Sequence, residues 1–299
     1  MTQSKSPRKR YPLERSPLYR LHGKAQFKKA LCVDWDAVPR LLDVKHYRVW
    51  TNDKGREIQA PQGWLAQVHK RIEQLLARIE LPSYLYSQKG HSYADNAKFH
   101  LGNTPLIKTD ISRFYPSVTR QMVFRMFVDD FECAVDVARR LADICCYKQA
   151  HLPTGSPLSG RVAFFSKRRM FDEIARTACS AGCKMSAYID DVTVSGESAT
   201  KTLLGKIRQI IHQHGLRTKN SKSKTFAREA IKMVTGVVIV RDEVRLPNAR
   251  HRKIFLARQA LQTVLSADRE HAQRVLAGRL QEAHQVLSVR SETQESGSK

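Results

Sequence analysis

Lys184-Met-Ser-Ala-Tyr188-Ile-Asp190-Asp191-Val-Thr-Val-Ser195 sets two adjacent acids between two short β-rich runs, 184–189 and 192–195. Runs separated only by a turn pair read as a hairpin, and here the turn pair is acidic. Neighbouring carboxylates repel unless a cation sits between or beside them. Taken alone, an Asp-Asp pair is more simply a turn, because Asp favours turn positions. A third acid shifts the balance. In Leu106-Ile-Lys-Thr-Asp110-Ile-Ser-Arg-Phe-Tyr115-Pro-Ser, an apolar strand ends on Asp110 just before a Pro-Ser helix start. Asp110 by itself would be a helix cap. If the two strands are neighbours, three carboxylates converge, and hard oxygen donors of that kind suit magnesium. Two such ions ~4 Å apart activate an attacking hydroxyl and stabilise a leaving pyrophosphate.

Around these strands the pattern turns helical. Leu65, Val68, Ile72, Leu75, Leu76 and Ile79 recur at three- and four-residue steps, which predicts an amphipathic helix over 64–79. The same periodicity predicts helices near 119–128, 134–146, 159–180 and 201–214, with further strands at 105–111 and 233–240. Strand, helix, helix, hairpin, helix, strand is an α+β layout, with helices on one face of a mostly antiparallel sheet. From 245 onward the chain reads as helical and basic, and 289–299 as a disordered tail.

Composition narrows the partner. The 299 residues carry a formal net charge of +24, and a compact body with that much self-repulsion is usually matched to a polyanion, here nucleic acid. Residues 1–30 hold nine Lys and Arg against the single acid Glu14, which suits an arm lying on phosphates. No apolar run reaches the ~18–20 residues that span a bilayer, and no secretory signal is visible, so a cytoplasmic protein is expected. The six cysteines show neither a disulfide framework nor a C-x-x-C pair and read as reduced thiols.

With these stretches in hand, the chain resembles the bacterial reverse transcriptases, most closely those of retrons. Tyr188-Ile189-Asp190-Asp191 is similar to the Y-x-D-D box, Asp110-Ile-Ser-Arg-Phe-Tyr-Pro-Ser to the first catalytic block, and Leu152-Pro-Thr-Gly155-Ser-Pro-Leu-Ser to the template-strand loop. Two more stretches resemble retron elements: Asn96-Ala-Lys-Phe-His100 the N-A-x-x-H element, and Val234-Thr235-Gly236 the V-T-G element. The likeness runs from about 47 to 240 and implies a right-hand polymerase fold of fingers, palm and helical thumb.

The resemblance implies roles residue by residue. Asp110, Asp190 and Asp191 are the expected ligands of two Mg2+ ions, with the Ile111 carbonyl as an extra ligand. Tyr115 is the expected steric gate against a ribose 2′-hydroxyl. Arg56, assisted by Lys54, is the expected grip on the incoming triphosphate, since a planar donor fork suits phosphate; a plain charged loop is the alternative. Gly155 and Ser156 would approach the template and nascent pair closely. A lysine near the leaving phosphates falls at Lys222 or Lys224. Asn96 and His100, four apart, are expected at the RNA, or else form a satisfied core pair. The basic segment with Arg250, Arg252, Lys253 and Arg258 is expected to grip RNA backbone. Two positions depart from the family: Thr154, where glutamine is frequent, and Ile189, where retron enzymes often have alanine.

The organisation expected is therefore a basic arm and fingers over 1–105, a palm with inserted fingers residues over 106–240 and a thumb over 241–288. The retron likeness further implies copying of a structured non-coding RNA into single-stranded DNA (msDNA), dNTP substrates, a separate effector protein and a part in antiphage defence, with no membrane. Another bacterial reverse transcriptase and a non-catalytic RNA-binding scaffold are the alternatives.

Overall fold

The computed structural model describes residues 9–264 and 268–288. The expected disordered tail, 289–299, and the first eight residues of the basic arm lie outside them. In order, the regular elements are α1 (Lys24–Leu31), α2 (Val38–Leu41), β1 (Tyr47–Thr51), β2 (Glu57–Pro61), α3 (Gly63–Leu76), α4 (Tyr93–Lys98), β3 (Leu106–Asp110), α5 (Phe114–Ser117), α6 (Arg120–Arg125) and α7 (Val135–Cys145). They continue with α8 (Ser159–Ser166), α9 (Arg168–Ser180), β4 (Lys184–Tyr188), β5 (Asp191–Ser195), α10 (Lys201–Gln213), β6 (Lys224–Phe226), β7 (Lys232–Val234), β8 (Val237–Val240), β9 (Glu243–Arg245), α11 (Asn248–Thr263) and α12 (Arg269–Leu287). The chain divides into two compact units, one of 1–83, 110–176 and 206–220, the other of 84–109, 177–205 and 221–299.

The first unit is mostly helical, with the β1–β2 hairpin added. Its core is aromatic: Phe127, Phe131 and Phe165 stack in sequence at 5.6 and 5.7 Å between ring centroids, in the range where edge and tilted pairs attract. Part of the basic arm is buried as well. Leu18, Leu21, Phe27 and Leu31 are buried, and Tyr11 N–H donates to the Arg78 carbonyl at 2.9 Å. From Tyr11 on, these apolar and backbone contacts tie the segment to the first unit.

The second unit carries a four-stranded sheet in the order β4-β5-β3-β6. β3 and β6 are antiparallel, with Lys108 opposite Lys224. A smaller sheet, β7-β8-β9, packs its inward residues Val234, Val237 and Ile239 against Ala94, Ala97, Leu106, Ala283 and Val286.

Two boundaries differ from the periodicity. The single helix expected over 159–180 is two, because at Lys167 the backbone N–H is shared between the Ala163 and Phe164 carbonyls and the ammonium donates to the His214 carbonyl. The run 233–240 is a hairpin folded at Thr235-Gly236, both at positive φ (+45° and +79°), the twist that two-residue hairpin turns prefer. Among the described residues no helix is long and apolar enough to cross a membrane, and all six cysteines are free thiols.

Candidate active site

The hairpin forms, but its turn falls one residue earlier than the Asp190-Asp191 pair the pattern suggested. Tyr188 pairs with Asp191, leaving Ile189-Asp190 as a two-residue turn. Ile189 stands at φ +58°, where a β-branched side chain is strained by ~1–2 kcal/mol. Strain of that kind persists only where the surroundings over-determine it. They do so here: Met185, Ala187, Val192 and Val194 are all buried. The outer edge of β4 is also covered, since Tyr86 N–H donates to the Ala187 carbonyl and Ala187 N–H to the Tyr84 carbonyl, at 2.9 and 2.8 Å. The two carboxylates are thus aimed from a braced tip, each partly exposed.

Asp110 is the last residue of β3 and is 3% exposed. Its carbonyl accepts from Lys219 N–H at 2.8 Å, and Ile111, fully buried, bridges Thr218. Arg113, at φ +48°, then turns the chain into α5. There Tyr115 is half-buried, with its hydroxyl 3.7 Å from where a Cβ on Gly160 would lie.

Lys54 and Arg56 are exposed on the β1–β2 turn. The Asn52 carboxamide builds that turn, its Oδ1 accepting from both Lys54 and Arg56 N–H at 3.0 Å. Gly155 and Ser156 lie in the loop before α8, half-buried. Lys222 ends a short 3-10 turn, whereas Lys224 opens β6, exposed and directly across from Lys108. Like charges so placed repel; an anion bound there would relieve them.

Asn96 and His100 are both 1% exposed, as in the core-pair alternative the sequence left open. Asn96 lies in α4, and His100 falls just past its end. His100 Nδ1 bonds Ser195 Oγ and its Nε2 bonds Ser186 Oγ, both at 2.7 Å, clamping both strands of the acidic hairpin. Burial, with Lys184 nearby, pushes its pKa down to about 3, so the ring is neutral. Asn96 Nδ2 reaches Thr235 Oγ1 at 3.5 Å, and that hydroxyl donates to the Tyr93 carbonyl at 2.6 Å. The N-A-x-x-H and V-T-G stretches are therefore one connected piece, which also explains how β-branched Thr235 is held at positive φ.

The same piece reaches the C-terminal helices. Arg250 donates to the Tyr93 hydroxyl at 2.7 Å, lies over its ring at 4.8 Å and pairs with Glu282 at 3.0 Å. Arg250 thus joins α11 to α4 and α12, whereas Arg252 and Lys253 are exposed and remain available to phosphates. Sequence reasoning missed Tyr93, Ser186, Ser195 and Glu282, because a serine inside a strand carries no local mark of its partner.

Among the described residues no three His, Cys, Asp or Glu side chains form a metal cage by themselves. The donor chemistry still fits magnesium, which in nucleotidyl transfer takes one or two carboxylates and fills its other positions with substrate phosphates and water.

Comparison with known proteins gives the family. Residues 45–246 match the family model described as reverse transcriptase (RNA-dependent DNA polymerase). Retron Ec86 reverse transcriptase of Escherichia coli is 27% identical over 224 residues, covering 70% of this chain and 68% of the relative. Retron Se72 reverse transcriptase of Salmonella heidelberg is 27% identical over 204 residues, 64% of this chain and 52% of the relative. Retron Ec48 reverse transcriptase of Escherichia coli is 26% identical and covered over 49% of its length, so the chain spans about half of these last two. A structure of apo telomerase from Candida Tropicalis, truncated from its C-terminal domain, aligns at 12% identity and TM-score 0.46, over 67% of this chain and 54% of that one. Helices combined with antiparallel sheets are the α+β mixture of a right-hand polymerase. With the family pattern running through both acid-bearing strands and most of the chain's length, the protein belongs to the reverse transcriptase (RNA-dependent DNA polymerase) family.

Proposed function

We propose that the chain is the polymerase of a retron, copying a structured non-coding RNA into single-stranded DNA at a site built from Asp110, Asp190 and Asp191. The observation that carries the reading is strand order: β3, which ends on Asp110, neighbours β5, which opens on Asp191. Two bound Mg2+ ions would supply charge neutralisation at the attacking and leaving oxygens. The three carboxylates, with the Ile111 carbonyl as a further donor, would hold them.

The chain's own groups do the rest, mostly by positioning and by fixed charge. Arg56 and Lys54 grip the incoming triphosphate from the β1–β2 turn, and Gly155 and Ser156 border the template and nascent pair. Lys224, or Lys222 beside it, faces the leaving phosphates. Arg252 and Lys253 take RNA backbone. In domain terms, 1–105 form the arm and fingers, 106–240 the palm and 241–288 the thumb. Tyr115 occupies the space a ribose 2′-hydroxyl would need. Tyr115→Ala should therefore lower discrimination between deoxy- and ribonucleotides by roughly 10²-fold, with dNTP incorporation retained. Single-nucleotide extension with each substrate measures this, and an unchanged ratio would remove Tyr115 from the gate.

Support for a retron in particular is the set of retron relatives together with the linked N-A-x-x-H and V-T-G elements. On this reading, synthesis starts from a guanosine 2′-hydroxyl in the RNA, giving branched msDNA in the bacterial cytoplasm, with a separate effector acting in antiphage defence. The test is expression with about a kilobase of flanking genomic DNA, followed by sequencing of the copurified nucleic acid. A short single-stranded DNA joined to a local RNA is the expected product; DNA made without that junction points to another class of bacterial reverse transcriptase.

A further inference from the structure

Behind the Gly155-Ser156 loop, the first unit contains a set of contacts with no evident purpose for the fold alone. Gln59, on β2, is 3% exposed. Its side-chain Oε1 accepts from Thr154 N–H at 2.9 Å, and its backbone carbonyl accepts from Gly155 N–H at 3.1 Å. Its Nε2 donates to Glu57 Oε1 at 2.8 Å, which fixes which end of the amide faces the loop. Consecutive loop amides are thus bonded to one residue, through side chain and main chain at once.

The approach is as close as a backbone permits. A Cβ on Gly155 would meet Ile58 Cγ2 at 2.8 Å and the Gln59 carbonyl oxygen at 3.0 Å. The next residue is fastened from the other side. His69, fully buried on α3, bonds the Ile144 carbonyl through Nε2 at 2.8 Å and Ser156 Oγ through Nδ1 at 2.7 Å. A carbonyl only accepts, so Nε2 carries the proton and Nδ1 accepts from the Ser156 hydroxyl. Three consecutive residues, 154 to 156, are therefore held from behind by β2 and α3, and their opposite face is left partly exposed.

We propose that Gln59 is a positioning residue that sets the loop against which the template base and incoming nucleotide pair, and so sets nucleotide affinity and copying accuracy. This rests on the reverse-transcriptase reading. Gln59 itself is buried and does not touch substrate. A displaced loop weakens the binding of the nucleotide that rests on it, and weakened binding is read in KM rather than in kcat. Gln59→Leu keeps the volume and removes the acceptor for Thr154 N–H.

The experiment is steady-state primer extension on an RNA template, one nucleotide at a time. The full chain is used, and melting curves are recorded for each variant. Gln59→Leu should raise KM for the correct dNTP about tenfold and raise misincorporation similarly, with kcat held within about threefold. The double exchange Glu57→Gln/Gln59→Glu rebuilds the side-chain pair with donor and acceptor reversed and keeps an oxygen facing Thr154, so it should return KM and accuracy to within about threefold of wild type. If Gln59→Leu does not fold, Gln59→Met answers the same question. An unchanged KM and error rate in a folded variant, or a loss confined to kcat, overturns the role given to Gln59. Absence of DNA synthesis by the wild type overturns the polymerase reading instead.

Discussion

Asp190→Asn/Asp191→Asn should abolish DNA synthesis, by ~10³-fold or more, and leave the protein folded. Asp190 ends a two-residue turn and Asp191 opens β5, and the flanking strands bury their own apolar residues, so the hairpin should form with asparagine at both positions. Asparagine matches Asp in size and tolerates turn geometry, but it removes two negative charges from the place where the proposed mechanism puts a divalent ion. Relief of like-charge repulsion between neighbours should leave the melting temperature equal to or slightly above that of the wild type. Primer extension and thermal melting are measured on the same preparation. Synthesis within tenfold of the wild type would remove these aspartates from the chemistry. A protein that fails to fold would instead show that the carboxylates hold the hairpin together.

His100 should dominate the acid sensitivity of the second unit. The ring is buried and neutral, with its pKa pushed to about 3 by burial and by Lys184, against ~6.5 in an unfolded chain. Between those values the unfolded state binds the proton and the folded state does not, so stability falls as pH drops below ~6.5 and the loss levels off only below about 3. From pH 7 to pH 5 this one ring should cost ~2 kcal/mol. His69, buried with its pKa lowered to about 4, should cost a similar amount in the first unit. Against a total stability of ~5–15 kcal/mol, that is a large share.

His100→Gln should be less stable than the wild type at pH 7, by ~1–2 kcal/mol, because a carboxamide reproduces the bridge between Ser186 and Ser195 imperfectly. It should also lose ~2 kcal/mol less between pH 7 and pH 5. Because the clamp holds both strands behind the acidic turn, kcat should fall even where the variant is fully folded. Denaturant titrations at the two pH values settle this, and equal slopes for variant and wild type would contradict a neutral, clamping His100.

Much of this molecule was legible in the chain. Helices 64–79, 134–146 and 201–214 and the hairpin at Asp190-Asp191 follow from residue periods that any local window contains, and the structure places them within a few residues of those spans. The helix expected over 159–180 failed at Lys167, where a long-range bond to the His214 carbonyl favours a break that no local pattern encodes. The β1–β2 hairpin was not foreseen as strands, because its outer strand is largely exposed and shows no buried alternation. In the candidate site the aspartates stood out as candidates, since acids at the ends of two apolar strands are visible in any local window. Gln59, His69, Ser186 and Ser195 did not, because each is an ordinary polar residue until its partner is known.

The sequence by itself singled out the candidate residues and the strands that bear the three aspartates, since both are properties of short stretches. Only the tertiary structure decided that Asn96 and His100 face inward, that Arg250 joins α11 to α4 and α12 while Arg252 and Lys253 stay exposed, and that residues 154 to 156 rest on β2 and α3. Those outcomes turn on pairings up to 157 residues apart along the chain. A buried polar group must find its partner wherever the folded topology brings one, and no local period records where that is.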